Sequence, residues 1–177
     1  MTWEGTDSAG DSSVFVQQFN ADGTTTGRTM IQLEAIASGS DSRPKIATVG
    51  SSGAYAVTWV GANANGKQSV FVQKFNADGA TTGNTLKSLD IGLLSGDYVF
   101  SQISAIGTDG AFVVASSGRD SRTGIFSVFV CQFDSAGSPI SLVQLDNLSV
   151  PDGLGWHPTI SSIGSNGAYV VSWMGVD

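Results

Sequence analysis

The chain has 177 residues, of which 8 are lysine or arginine, 15 are aspartate or glutamate and 23 are glycine, giving a formal net charge of −7. Nucleic-acid binding depends on clustered basic side chains that neutralise phosphates, so this composition argues against a nucleic-acid partner. The length favours a single domain with a hydrophobic core, and no apolar run approaches the roughly 18 residues that insertion as a membrane helix needs.

Four predicted β-strands make one repeating unit, and the chain begins inside such a unit. Residues 1–43 open with TWEGTD, which matches the end of a second strand in the later units. They then supply a third strand, SVFVQQF, and a fourth strand after the turn NADG. β-branched and aromatic residues dominate these segments and glycine closes each turn. We therefore expect a half unit over residues 1–43.

Two full units and a second half unit follow. Residues 44–100 carry KIATV, AYAVTWV, SVFVQKF and NTLKSL, separated by polar, glycine-containing turns. Residues 101–157 repeat this order, and residues 158–177 supply a first and a second strand. The first strands share an isoleucine that recurs every 57 residues, at Ile46, Ile103 and Ile160. A constant period of this size is typical of a repeat fold. The sequence therefore predicts one all-β domain over residues 1–177, built from three tandem four-stranded antiparallel units if the two halves count as one.

Side-chain size alternates along the second strand. In AYAVTWV, Tyr55, Val57 and Trp59 share one face, while alanine and threonine residues occupy the other. A sheet that is apolar on both faces must be covered on both, so we expect the large face of one unit to pack on the small face of its neighbour. The aromatic residues at the repeat positions of the second and third strands are the expected core residues: Trp3, Trp59, Trp173, Phe71 and Phe129.

Four-stranded antiparallel sheets stacked face to face are the blades of a β-propeller, which is the fold we predict. A β-trefoil or a β-prism is the alternative, because both build threefold pseudosymmetry from four-stranded units. Propellers have roughly 4 to 8 blades, so three units need additional ones. Either two chains form a homodimeric six-bladed ring whose half units complete each other, or the chain is a fragment of a longer array. We expect self-association into the homodimer.

The repeats also resemble those of a known class of proteins. The resemblance rests on glycine, an aromatic residue, two valines, serine or threonine and tryptophan, followed by VFVQ, a phenylalanine and ADG. This pattern is similar to the tandem β-repeats of large secreted bacterial proteins of the RTX or hemolysin-type calcium-binding class, many of which are adhesin-like. The resemblance implies an extracellular or cell-surface location, type I secretion without an N-terminal signal and a structural or adhesive role, and it would allow calcium binding.

Oxygen-bearing side chains recur four residues after the tryptophan position. Asp7, Asn63 and Asp120 occupy this position, and Asp11 lies in the same loop as Asp7. Calcium takes six to eight oxygen ligands, which makes these four residues the candidate metal ligands. Aspartate and asparagine are also favoured in turns, because they bond to their own backbone. Since no loop offers three closely spaced carboxylates, we favour the turn interpretation and expect no cofactor.

The irregular loop before the last two strands contains the candidate ligand-binding residues Asp152, Trp156 and His157. Trp156 has no aromatic counterpart in the other units, and an aromatic ring on a variable loop suits a glycan or another cell-surface ligand. The sequence has one histidine and no nucleophile-base motif, so we expect no catalytic residue and no enzymatic activity. These features predict a non-enzymatic structural or adhesive module, with a glycan-binding, lectin-like propeller as the alternative.

Overall fold

The computed structural model describes residues 1–35, 39–89, 99–119, 126–145 and 157–174. Within these ranges the chain forms strands and turns, and none of it forms a helix long and apolar enough to cross a membrane. The strands are, in chain order, β1 (Thr2–Thr6), β2 (Ser12–Val16), β3 (Ile31–Leu33), β4 (Ser42–Thr48), β5 (Tyr55–Ala62), β6 (Gln68–Phe75), β7 (Thr81–Ser88), β8 (Phe100–Ala105), β9 (Phe112–Arg119), β10 (Phe126–Phe133), β11 (Pro139–Gln144), β12 (Thr159–Ile163) and β13 (Ala168–Ser172).

The described strands form four antiparallel sheets, which we number I to IV in chain order. Sheet I contains β1 to β3, sheet II contains β4 to β7, sheet III contains β8 to β11, and sheet IV contains β12 and β13. The predicted all-β class is therefore confirmed. The predicted count of three four-stranded units is wrong, because the two half units form separate sheets of three and two strands beside the two complete ones.

The additional strand of sheet I explains this difference. β1 pairs with β2 so that Trp3 lies opposite Phe15, just as Trp59 lies opposite Phe71 in sheet II. The first residues of the chain thereby hydrogen-bond an edge of β2 that would otherwise be open, which removes exposed backbone donors and acceptors. In the described chain, sheet I consequently stands apart from β12 and β13 and does not share a sheet with them.

Tight turns end the strands where the sequence places asparagine, aspartate and glycine. In the NADG turn, the backbone N–H of Gly79 donates to the carbonyl oxygen of Asn76 at 2.9 Å. Gly79 has a φ of 76°, a left-handed conformation that glycine adopts without steric cost. In the equivalent turn of sheet III, the backbone N–H of Gly137 likewise donates to the carbonyl oxygen of Asp134 at 3.0 Å. The turn chemistry is therefore repeated along with the strands.

The sheets stack face to face in chain order, and each turns its large face toward the preceding sheet. The layer between sheets I and II joins Val14, Val16 and Leu33 to Tyr55, Val57, Trp59, Phe71 and Phe75. The layer between sheets II and III includes Ala56, Val70, Val72, Phe112, Phe129 and Phe133. The layer between sheets III and IV joins Val113, Ala115 and Val130 to Ile160, Tyr169 and Val171. Burial of these apolar surfaces is the main stabilising contribution to the stack.

A polar contact accompanies the apolar layers near the tight turns. The side-chain amide of Gln18 in sheet I donates to the carbonyl oxygen of Ala77, in the turn of sheet II, at 3.1 Å. Lys74 occupies the same repeat position in sheet II, and its ammonium donates to the carbonyl oxygens of Ser135 and, at 3.3 Å, of Gly110. Lys74 is 7% exposed, and burial lowers its pKa. The recurring contact, here called the inter-sheet clamp, joins sheet I to sheet II and sheet II to sheet III.

Candidate functional site

The two ends of the stack leave apolar positions uncovered. We call one end the head surface, which consists of large-face residues of sheets I and II: the partly exposed Trp3, Phe19 and Ile46, and Phe15, which is itself buried and stacks on Trp3. We call the other end the tail surface, which consists of residues at the open side of sheet III and on sheet IV: Val143, Leu145, Ile163, Val170 and Trp173. Single exposed apolar side chains are common on proteins, whereas large contiguous apolar patches usually mark interaction sites.

The tryptophan and phenylalanine pair of the head surface has a buried equivalent. The rings of Trp3 and Phe15 stack with centroids 5.8 Å apart and 24° between their planes. Trp59 and Phe71 form the same pair at 5.8 Å and 26°. Sheet I covers the second pair, so Trp59 is 1% exposed, whereas Trp3 is half-buried and no described sheet lies over it. Trp3 therefore does not occupy the core position between two sheets that its repeat position predicts.

Phe19, on the head surface, lacks the stacked aromatic partner that its repeat equivalents have. Phe75 and Phe133, at the same repeat position, are fully buried. They stack on Tyr55 and Phe112 with ring centroids 4.9 and 4.7 Å apart. Phe19 is 42% exposed, because the pairing of β1 with β2 ends at Val16 and provides no ring opposite Phe19.

Leu145 shows the corresponding situation on the tail surface. Its backbone N–H donates to the carbonyl oxygen of Val128 at 2.9 Å, just as Leu89 donates to Val70 at 2.8 Å. Leu89 is 2% exposed, because sheet III lies over it. Leu145 is 37% exposed, because the two strands of sheet IV do not extend over β11.

Sheet IV carries the rest of the tail surface. Ile163 occupies the repeat position of Val49 and Ile106, which are buried, yet it is itself 53% exposed because no described sheet packs on the outer face of sheet IV. The expected core position of Trp173 is wrong, since its side chain is 38% exposed and none of the described strands lies beside β13 as a third strand of sheet IV. The other three expected core residues, Trp59, Phe71 and Phe129, are at most 1% exposed.

A polar cluster lies on the sheet I face that carries Trp3. The hydroxyl of Ser13 is 3.3 Å from both Asp7 Oδ2 and Glu34 Oε1. The side-chain amide of Gln32 donates to Glu34 Oε1 and lies 3.4 Å from Asp7 Oδ2. The cluster thus holds two carboxylates, and no group of three or more metal-ligating side chains is placed to hold an ion in the described ranges.

The predicted metal ligands in the described ranges take part in turns. Asp7 Oδ1 accepts two backbone N–H groups at 2.8 and 2.9 Å, and Asn63 Oδ1 accepts two at 2.9 and 3.0 Å. The hydrogen bond from the backbone of Asp11 is the main cause that holds the pKa of Asp7 below its ordinary value. The side chain of Asp11 is exposed. Asp120 lies outside the described residues.

The predicted ligand-binding loop is represented by His157, since Asp152 and Trp156 lie outside the described residues. The imidazole ring of His157 lies 4.0 Å from the ring of Phe100, with 57° between the planes. The guanidinium of Arg43 lies 4.3 Å from the centroid of the same Phe100 ring, a cation–π contact. The structure therefore brings together three residues from the beginnings of β4, β8 and β12.

One buried carboxyl was not predicted. Asp41 is fully buried, and its Oδ2 accepts the backbone N–H of Ala35 at 3.1 Å. Its Oδ1 has no hydrogen-bond partner among the described residues and fills the space over Gly61, where a Cβ would come within 1.9 Å of it. Burial raises the pKa of Asp41 to about 6, against the effect of the Ala35 hydrogen bond, and the nearby charge of Glu34 raises it further.

The end surfaces are suited to binding apolar sheet faces of complementary size. They combine stacked aromatic rings with aliphatic side chains, and their repeat equivalents already make such contacts inside the chain. In comparisons with known proteins, no family model and no curated protein matches the chain.

Proposed function

We propose that the protein is a non-enzymatic structural repeat module that associates with further copies of itself through the head and tail surfaces. The observation that carries the proposal is the difference in burial between equivalent repeat positions, such as 2% exposure for Leu89 against 37% for Leu145. The head presents large-face residues and the tail, apart from Trp173, presents small-face residues, which is the combination that packs between sheets I and II and between sheets II and III.

We further propose that the sheets are blades of a β-propeller. In support of this, the first strands of successive sheets lie side by side, with β4 against β8 and β8 against β12, as innermost strands do around a propeller axis. The face-to-face order of four separate sheets favours blades over a β-trefoil or β-prism. A closed homodimer would provide six blades if sheet IV of each chain and sheet I of the other formed one blade together, beside the two complete sheets of each chain.

The secreted and adhesive part of the proposal derives from the resemblance of the repeats to those of RTX-class proteins. The lectin-like alternative gains no support from His157, whose ring contacts Phe100. We therefore keep the adhesive scaffold as the main proposal.

Light scattering coupled to size-exclusion chromatography tests self-association at low micromolar concentration. The expected mass is twice the 18.2 kDa of the chain. Val170→Asp would place a charge on the tail surface and should give a monomer, whereas Ser52→Asp, in an exposed turn of sheet II, is the matched control and should leave the dimer intact. A wild-type monomer would overturn the proposal. A mass that grows continuously with concentration would support head-to-tail association and overturn the closed ring.

A further inference from the structure

We infer that two copies join through a composite sheet, in which β12 and β13 of one copy continue into β2 and β3 of the next. In this arrangement β13 takes the edge of β2 that β1 holds in the single chain. The inference rests on the proposed self-association and specifies its register. Three pairs define that register: Tyr169 opposite Phe19, Val171 opposite Gln17, and Trp173 opposite Phe15 of the next copy.

The pairing of β1 shows that β2 accepts a second strand in this register. Trp3 lies opposite Phe15 and Gly5 opposite Ser13. In sheet II the full-length second strand β5 pairs with β6 in the same way, with Trp59 opposite Phe71. Trp173, directly after β13, has the repeat position of Trp3 and Trp59, so β13 matches the same edge in the same register. It would lie nearer to Phe19, beyond Val16, where the pairing of β1 ends.

Phe19 and Tyr169 each lack the ring that their equivalents have. Tyr55 and Phe112, at the position of Tyr169, each lie opposite a third-strand phenylalanine. In the described chain, Tyr169 has no third strand beside it in sheet IV. Placing Tyr169 opposite Phe19 of the next copy would restore the stacked pair, which brings ring centroids to within about 7 Å in protein cores.

The composite sheet also covers the aliphatic residues of both end surfaces. Its large face would lie over Leu145 and Val143, as sheet III lies over Leu89. Its small face carries Val170 and would lie over Ile46 of the next copy, which is 39% exposed. One arrangement therefore covers the exposed apolar residues at both ends other than Trp3, which is displaced together with β1.

The inter-sheet clamp supplies a polar contact for the same junction. Gln18 reaches the turn carbonyl of Ala77, and Lys74 reaches that of Ser135, in each case on the following sheet. Gln132 has the equivalent position in sheet III, and Ala21 has the equivalent turn position in sheet I. In the composite sheet, Gln132 would donate to the carbonyl oxygen of Ala21 of the next copy.

Cysteine cross-linking tests the register. A Phe19→Cys variant mixed with a Tyr169→Cys variant should form a covalent dimer on oxidation, because directly opposed strand residues meet the distance requirement of a disulfide. Ala168→Cys replaces Tyr169→Cys in the matched control and should not cross-link, since its side chain points to the opposite face. The native Cys131 does not compete, because it is 1% exposed and burial raises its pKa to about 12.

Cross-linking and light scattering together distinguish a failure of the proposed strand register from a failure of self-association. A dimer in light scattering without the cross-link would overturn the register and leave self-association standing. A wild-type monomer would overturn both. In the Phe19→Cys/Tyr169→Cys double variant, a disulfide within one chain would overturn the joining of two copies.

Two tryptophan variants test whether β13 replaces β1. Trp3→Ala should tighten the dimer by roughly tenfold in dissociation constant, because the strand that competes for β2 is weakened. Trp173→Ala should weaken the dimer by a similar factor. A dimer that is unchanged or weakened by Trp3→Ala would overturn the replacement.

Discussion

Replacing Asp41 by asparagine tests whether its buried carboxyl makes the fold less stable at neutral pH. The folded pKa of about 6 exceeds the value of about 3.9 expected in the unfolded chain. The folded state therefore binds more protons between these values. The contribution of Asp41 to the free energy of unfolding is fully present below about pH 3.9 and is lost as the pH rises through about 6. At about 1.4 kcal/mol per pKa unit, the loss by pH 7.5 amounts to about 3 kcal/mol.

Urea denaturation at a series of pH values from 4 to 8 measures this effect. Asparagine retains an acceptor for the Ala35 N–H and cannot ionise, so the stability of Asp41→Asn relative to wild type should rise by about 2.4 kcal/mol between pH 4 and pH 7.5. Asp11→Asn, at an exposed position, is the matched control and should show no such trend. Glu34→Gln should move the wild-type transition to lower pH, because it removes the neighbouring charge. A relative stability of Asp41→Asn that is the same at every pH would refute the reasoning.

Four further outcomes follow from the packing and the turns. Trp59→Ala should lower the free energy of unfolding by about 3 to 5 kcal/mol, because the indole is 1% exposed between two sheets; a melting temperature equal to that of wild type would contradict this packing. Gly61→Ala should cost about 1 to 3 kcal/mol, since the added Cβ would come within 1.9 Å of Asp41 Oδ1, and an unchanged urea midpoint would disprove the contact. Cys131 should react with a thiol reagent only after unfolding, because burial raises its pKa to about 12; rapid labelling of the native protein would show that it is accessible. Chelation by EDTA should leave the melting temperature unchanged, because the described loops do not gather three carboxylates, and a fall of about ten degrees that calcium reverses would reveal a structural ion.

The sequence is sufficient to predict the two complete sheets and which residues lie on each of their faces, because both depend on local patterns. Alternation in β5 puts Tyr55 and Trp59 on one face, and the structure packs that face on sheet I. The repeat period cannot show which units have a neighbour on both sides. Trp173 has the same repeat position as Trp59 and is nevertheless 38% exposed, because its surroundings depend on tertiary contacts.

Asp41 shows a second limit of reasoning from the period. The pairing of β4 with β5 shifts between Ser42 and Lys45, and Arg43 has a φ of 57°. This irregularity inserts one residue relative to sheet III, so Asp41 takes the buried position that Val99 holds there. An alignment at a constant step of 57 residues does not bring these two residues together, and the burial of Asp41 therefore follows from the bulge.

The stack has a direction, since each sheet turns its large face backward along the chain and its small face forward. Every internal boundary is consequently of one kind, whichever two sheets form it. A duplicated or deleted segment of 57 residues would leave the sheets on either side with matching neighbours. Gene duplication or deletion could thus change the length of such an array by whole units without any new interface having to evolve. Insertion or deletion of half a unit would instead place strands from non-adjacent positions of the unit side by side.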